Sequence, residues 1–206
     1  VSQVIQSDPD NIDTDGDGRV DYAESRLNGT FANDFDTDND TIPDGSTAGS
    51  IGELRNSTDN SFDFYGTNPL EADTDDDGLT DLEEITGFSI IVETFDSSGV
   101  SEGASTINLP GYDVADPNST SNLNPNDKDT DRDGADDGDE TTDNGAGDWV
   151  TNPLVANTDG DVNTFSNPIV DGNDNCPVHD NTDQADADND DIGDVCDGIT
   201  AATTVF

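Results

Sequence analysis

Between Asp73 and Glu84 the chain reads DTDDDGLTDLEE, with carboxylates at positions 1, 3, 5, 9 and 12 and a glycine at position 6. A hard divalent cation takes roughly six to eight oxygen ligands, and twelve residues deliver them only if the backbone turns sharply midway. The spacing predicts a loop in which Asp73, Asp75, Asp77, the Leu79 carbonyl, Asp81 (often through water) and a bidentate Glu84 surround one ion, with Gly78 making the turn.

This is the pattern of an EF-hand-type calcium loop, and it recurs. DTDGDGRVDYAE supplies Asp13, Asp15, Asp17, the Arg19 carbonyl, Asp21 and Glu24. DTDRDGADDGDE supplies Asp129, Asp131, Asp133, the Ala135 carbonyl, Asp137 and Glu140. Two copies are degraded. In DTDNDTIPDGST the acids Asp36, Asp38, Asp40 and Asp44 and the Ile42 carbonyl remain, but Thr41 stands in place of glycine and Thr47 in place of the bidentate acid, so weaker binding is expected. The loop opening at Asn157 continues with Asp159 and Asp161, and an insertion through Pro168 delays the next acids to Asp171 and Asp174. Loop starts from Asp13 to Asp186 are separated by 23, 37, 56, 28 and 29 residues, too uneven for a strict solenoid.

Composition explains why metal is needed. Of 206 residues only 29% are hydrophobic, and 50 acidic side chains face 5 basic ones for a net charge of -45. Such a chain lies near the disordered class and repels itself unless cations enter it. Six calcium ions, at two charges each, change -45 only to -33. Nucleic acid and membrane insertion are therefore discounted as partners. No apolar run approaches a transmembrane length and no signal peptide is visible; because the sequence starts at Val1, a removed leader is compatible with it.

Asp8-Pro9, Asn68-Pro69, Asn124-Pro125 and Asn152-Pro153 each begin five residues before a loop. Proline holds its own backbone and extends the residue before it, and Asp or Asn closes an Asx-turn, so the unit reads as turn, short extension, calcium loop. Threonine follows the first acid or Asn at Thr14, Thr37, Thr74, Thr130 and Thr158, which suggests an outward-facing slot between ligands. In the longest gap, GFSIIVETF and STINL read as two strands of a hairpin whose apolar face is Phe88, Ile90, Val92 and Phe95. SFDFY, from Ser61, is a shorter strand candidate, and Trp149 is expected over the neighbouring Asn-Pro turn. Helix should be limited to a turn or two after complete loops, as at Tyr22–Leu27 and Leu82–Thr86. The expected fold class is mostly irregular coil: an elongated array of calcium-wrapped loops with few short helical turns, a small β-hairpin insertion and little hydrophobic core. The expected division is 1–60 N-terminal repeats, 61–86 central repeat, 87–115 hairpin, 116–170 further repeats, 171–198 a cysteine-containing repeat and 199–206 an apolar tail.

Residues Asp174–Asp197 read DNCPVHDNTDQADADNDDIGDVCD. This closely resembles the thrombospondin type 3 repeat, DNCPxxxNxxQxDxDxDGxGDxCD, departing from it at Asp191, where the family has glycine. The upstream units are similar to the cysteine-free bacterial form of that repeat, as in GTNPLEADTDDDGLTDLEE, and DNDTIPD from Asp38 is similar to the short calcium loops that open the receptor-binding component of binary toxins. The resemblance covers most of the chain outside the hairpin and termini. It implies a string of calcium ions wrapped by backbone, with Asp186, Asp188, Asp190, the Ile192 carbonyl, Asp194 and Asp197 as ligands of the last loop. About four strong calcium sites and one or more weaker ones are thus expected. The resemblance also implies a Cys176–Cys196 disulfide, which closes a loop worth about 3 kcal/mol in the chain-entropy model. A zinc or redox role for the cysteines lacks a CxxC motif, and His179 is expected to be an exposed loop residue. The disulfide points to an oxidising compartment, hence a secreted or cell-surface location.

Among function classes, an enzyme has little to work with: one histidine, no nucleophile–base constellation and no phosphate-binding loop. A calcium sensor needs paired amphipathic helices and usually methionine, which this chain lacks. A dockerin-like module would follow its loops with Leu-rich helices, whereas these are followed by Gly, Thr and Asn-Pro. The expectation is a calcium-stabilised extracellular structural protein, a rigid acidic stalk, spacer or adhesin segment meeting cell-surface proteins or glycans. Alternatives are a filament subunit that pairs with copies of itself through the apolar ends VSQVI and ITAATTVF, and a calcium-binding module of a secreted toxin or enzyme. The sequons at Asn28, Asn39, Asn56 and Asn118 match chance expectation and only permit N-glycosylation. General salt adaptation would scatter carboxylates, not set them in ligand register.

Overall fold

The computed structural model describes residues 7–58, 63–96, 98–142 and 149–197. Most of them form neither helix nor strand. Every helical piece that is present begins on the ninth-position acid of a loop: α1 at Asp21–Ala23, continued by a π-helical turn Glu24–Asn28, α2 at Asp81–Thr86, α3 at Asp137–Thr141 and a 3-10 turn at Asp171–Asn173. A carboxylate in the first turn suits the partial positive charge of a helix N-terminus. Only α2 carries a full capping box, Thr80 with Glu83, and it is the longest of the three α-helices.

The hairpin pairs β1, Gly87–Phe95, with β2, Ser101–Pro110, antiparallel from Gly87 opposite Pro110 to Phe95 opposite Ser101. The second strand starts four residues earlier than STINL because Ser101–Ala104 keeps pairing with β1 through an irregularity at Thr94/Phe95. One face covers the small apolar core of Leu79, Ile90, Val92, Leu109 and Leu123, with Phe88, Ile107, Val150 and Leu154 at its edge. Ile90 and Val92 therefore do what alternation predicts, while Phe95 turns elsewhere. Its backbone N–H donates to Val178 O at 2.7 Å, Asp180 N–H donates to Phe95 O, and its ring stacks on His179. The hairpin thus runs from the Asp73 loop to the disulfide-containing repeat. His179, far from being exposed, is 1% accessible beneath this contact. Its burial leaves no local signal in the sequence because the covering residue lies 84 positions upstream.

Of the SFDFY segment only Asp63–Tyr65 is described, where Phe64 makes an isolated bridge with Gly52. Trp149 is half-buried and lines a cavity with Asn175 and Pro177 of the last repeat. The apolar ends VSQVI and ITAATTVF lie outside the described residues. Among the described residues no helix is long and apolar enough to cross a membrane.

Candidate metal centres

Six loops share one backbone construction. In each, the N–H of the ninth-position acid donates to the carbonyl just before position 1: Asp21 to Ile12, Asp44 to Phe35, Asp81 to Ala72, Asp137 to Lys128, Asp171 to Ala156 and Asp194 to Ala185, at 2.7–3.2 Å. The interrupted Asn157 loop obeys the same rule, with Asp171 in the ninth place and Asp174 three residues on. Its insertion folds away through a Val162–Pro168 bridge.

Within a loop the first acid organises the turn. Asp73 accepts from Asp76 N at 2.8 Å and Gly78 N at 3.1 Å, and Asp36 likewise from Asn39 and Thr41. These bonds demand left-handed backbone at positions 4 and 6. Gly18, Gly78 and Gly134 provide it at position 6, and Thr41 and Asp191 adopt it there without the freedom of glycine, at φ 83° and 72°. Position 4 is left-handed in all six loops, at Gly16, Asn39, Asp76, Arg132, Gly160 and Asn189. That requirement is invisible in the sequence because six different contexts satisfy it with four residue types.

The fifth-position acids outside the interrupted Asn157 loop turn one oxygen to the seventh-position N–H, as Asp77 does to Leu79 at 2.7 Å. The third-position acids keep theirs free: both oxygens of Asp75 and of Asp131, and one each of Asp15, Asp38 and Asp159, are buried and accept no hydrogen bond. In the first three loops the acids at positions 1, 3 and 5 converge far enough to hold a metal ion: Asp13, Asp15 and Asp17; Asp36, Asp38 and Asp40; Asp73, Asp75 and Asp77.

The second-position threonines are not outward slots. Thr74 donates N–H and Oγ1–H to the two oxygens of Asp81, both at 2.8 Å, and its Oγ1 accepts from Asn68 N, also at 2.8 Å. Thr14 and Thr37 make the same three bonds, Thr14 with Asp21 and Asp8, Thr37 with Asp44 and Phe31. Thr130, at 3% exposure, holds Asp137 in the same two-pronged way. Thr158 joins Asn152 N to Asp171. Thr14, Thr37, Thr74 and Thr158 are rivets between the turn before a loop and the acid at its ninth position. A hydroxyl is needed because it donates and accepts at once. In the last loop Ala187 takes this place and keeps only the N–H bond to Asp194.

The ninth-position acids also face backwards along the chain. Asp44 lies with Asp17 and Glu24 of the preceding loop, and Asp81 lies with Asp40 and Glu53, each set offering oxygens within 4.8 Å of one another. The loops interlock by backbone as well. Gly138 N donates to Asp77 Oδ2 and Gly172 N to Asp133 Oδ2, both at 3.2 Å, and a Cβ on Gly45, Gly138 or Gly172 would run into the carbonyl of Asp17, Asp77 or Asp133. Consecutive loops therefore stack directly whatever the length of chain between them, including the 56 residues that contain the hairpin.

Burial makes these clusters electrostatically extreme. Glu24, Glu53 and Glu84 are wholly buried and Glu140 is 2% exposed. Neither oxygen of Glu24 or Glu84 accepts a hydrogen bond, and one oxygen each of Glu53 and Glu140 lacks a donor. Desolvation first, then neighbouring aspartates, push Glu24 up to about 8, Glu53 to about 9, and Glu84 and Glu140 to about 10. The same causes raise Asp17, Asp75, Asp131 and Asp171 to about 7. No lysine or arginine answers them: the ion pairs among the described residues, Lys128–Asp136 and Arg132–Asp127, are exposed. A buried carboxylate without donor or cation is strongly unfavourable, and a divalent ion supplies what is missing. These clusters can hold metal ions, and their all-oxygen ligand set suits a hard cation of calcium type.

In the C-terminal repeat Asp161 lies near Asp174 and Asp159: burial first, then the charges of Asp174 and Asp159, raise it to about 6. Asn181 N donates to Asp161 Oδ2 at 3.3 Å, and Gln184 braces Asp174. The Asp186 loop is more open: Asp188, Asp190, Asp194 and Asp197 are all exposed. Cys176 and Cys196 form the expected disulfide, with Cα atoms 5.8 Å apart and both cysteines buried. Of the sequon asparagines, Asn39 and Asn118 are exposed, Asn28 accepts from Arg19, and Asn56 is buried and donates to Ser46 O. The carbonyl-bearing residues Ile42 and Leu79 are buried, whereas Arg19, Ala135 and Ile192 are partly exposed. No family model matches the chain, and neither curated proteins nor solved structures yield a match.

Proposed function

We propose that the protein is a calcium-stabilised extracellular structural element, a thrombospondin type 3-like array that serves as a rigid acidic spacer or stalk. The observation that carries this reading is the set of four buried glutamates, Glu24, Glu53, Glu84 and Glu140, held without cationic partners at successive loop junctions. An apolar core of five buried residues is too small to offset the ordering of so long a coil, so metal binding supplies the folding free energy. The disulfide supports an oxidising, calcium-rich location. In this role the carboxylates hold metal and carry no catalytic step. Calcium is structural and not a switch, since the helices it meets are three to six residues long and present no pair to reorient.

Small-angle scattering with and without chelator tests the spacer role. In millimolar calcium the chain should give one rigid, folded, concentration-independent form. Calcium removal should raise the radius of gyration toward the roughly 49 Å expected of an unfolded chain of this length. An unchanged scattering curve after chelation would contradict the role, and negative-stain images showing strings in place of separate particles would favour the filament alternative.

A further inference from the structure

The Asp36 loop lacks its twelfth-position acid, and the structure shows what stands there instead. Residues after Asp44 leave the loop path and return: Thr47 N–H donates to Ser50 O, Ser46 N–H to Leu54 O, and Leu54 N–H to Asp44 O, at 2.9–3.1 Å. This short excursion delivers Glu53 to the junction with the Asp73 loop. Glu53 is fully buried, and its Oε1 accepts from Thr67 Oγ1 at 3.0 Å. Its Oε2 accepts nothing, and Glu53 offers a carboxylate oxygen within 4.8 Å of oxygens from Asp40 and Asp81. A regular loop offers the comparison. Glu140, in a true twelfth position, accepts from Thr151 Oγ1 at 2.8 Å and likewise keeps Oε2 without a donor. At the first junction, Glu24 stands with Asp17 of its own loop and Asp44 of the next. Glu53 reproduces both relations, six residues late in sequence.

Building on the calcium reading, we propose that Glu53 is the displaced twelfth-position ligand of the Asp36 loop and completes a divalent-cation site with Asp40 and Asp81. The Asp36 loop is then a full site, not a weak one, and its ion bridges two loops. Calcium fits because every donor is oxygen and the three acids come from separate chain segments, which suits a large cation tolerant of irregular geometry over one demanding a strict octahedron.

The test is native mass spectrometry of the intact chain across a calcium titration, comparing wild type, Glu53→Gln and the exposed control Glu71→Gln. Glu53→Gln should hold one calcium fewer, or bind one ion more than about tenfold more weakly, while Glu71→Gln matches wild type. Urea midpoints against calcium concentration give a second readout, because their dependence counts ions released on unfolding. That dependence should fall by one ion in Glu53→Gln. If this variant does not fold, Glu53→Asp, which keeps the charge and withdraws it by one methylene, should show the same single weakened ion. Wild-type stoichiometry and affinity in the folded variant overturns the assignment of Glu53 alone. A wild-type chain that binds no calcium overturns the underlying reading.

Discussion

Replacing Thr74 by valine isolates the rivet from the metal ligands, because Thr74 is no ligand itself. Valine preserves shape and removes the Oγ1 bond to Asp81 Oδ2 at 2.8 Å and the acceptor for Asn68 N–H at 2.8 Å. The backbone N–H bond from residue 74 to Asp81 Oδ1 survives. A hydrogen bond to a charged acceptor is worth about 1.5–3 kcal/mol, and a stranded donor in a part-buried site adds about 1 kcal/mol, so the expected loss is about 2.5–4 kcal/mol. For a chain of this size each kcal/mol moves the melting midpoint by about 2–4 °C, so Thr74→Val should melt about 5–15 °C lower in saturating calcium. Thr74→Ser retains the hydroxyl and should stay within a few degrees of wild type. The assay is calorimetry of all three chains at one calcium concentration. Equal midpoints for the valine and serine variants would refute the rivet and return threonine to the role of a filler between ligands.

The glutamates set a pH signature. Their folded values of about 8 to 10 stand above the ordinary 4.5, so the metal-free fold binds more protons than the unfolded chain. Its stability should be present below about pH 4.5 and decline as pH rises through that range. Calcium requires the ionised form, so the calcium concentration needed to fold the chain should rise steeply as pH falls through about 4.5, followed by near-UV dichroism at each pH; a calcium midpoint independent of pH would contradict it. Replacing Cys176 by serine together with Cys196 should cost about 3 kcal/mol, read as lower hydrogen-exchange protection in residues 174–197, and unchanged protection would show that calcium alone holds the repeat. Phe95→Ala should raise exchange at Val178–Asn181 without altering the Asp13 loop, because the hairpin's contact with the last repeat is made by that residue.

The loops were legible because position within twelve residues is a local property. Three full ligand sets, the glycine turn, the hairpin and the disulfide all follow from short-range spacing or from a motif. What was not legible is non-local. Thr74 repeats visibly in sequence, yet nothing in one dimension says that its hydroxyl points at an acid seven residues on and not at solvent. Glu53 carries no spacing signal because an excursion separates it from its loop. His179 looks like an isolated polar residue until Phe95 is placed on it. The backward reach of Asp44 and Asp81 could have been suspected only by asking how two loops share an interface. Their glycine neighbours hold part of that answer: Gly45, Gly138 and Gly172 each follow a ninth-position acid, and each sits against the preceding loop.

The proposed calcium role requires bound ions to stand where a hydrophobic core would. Near-UV circular dichroism and calorimetry of one sample at pH 7.5, before and after exhaustive chelation and again after calcium is restored, address it directly. The near-UV signal and the melting transition should vanish together on chelation and return together with calcium. A chain that keeps both without the ion would contradict the account.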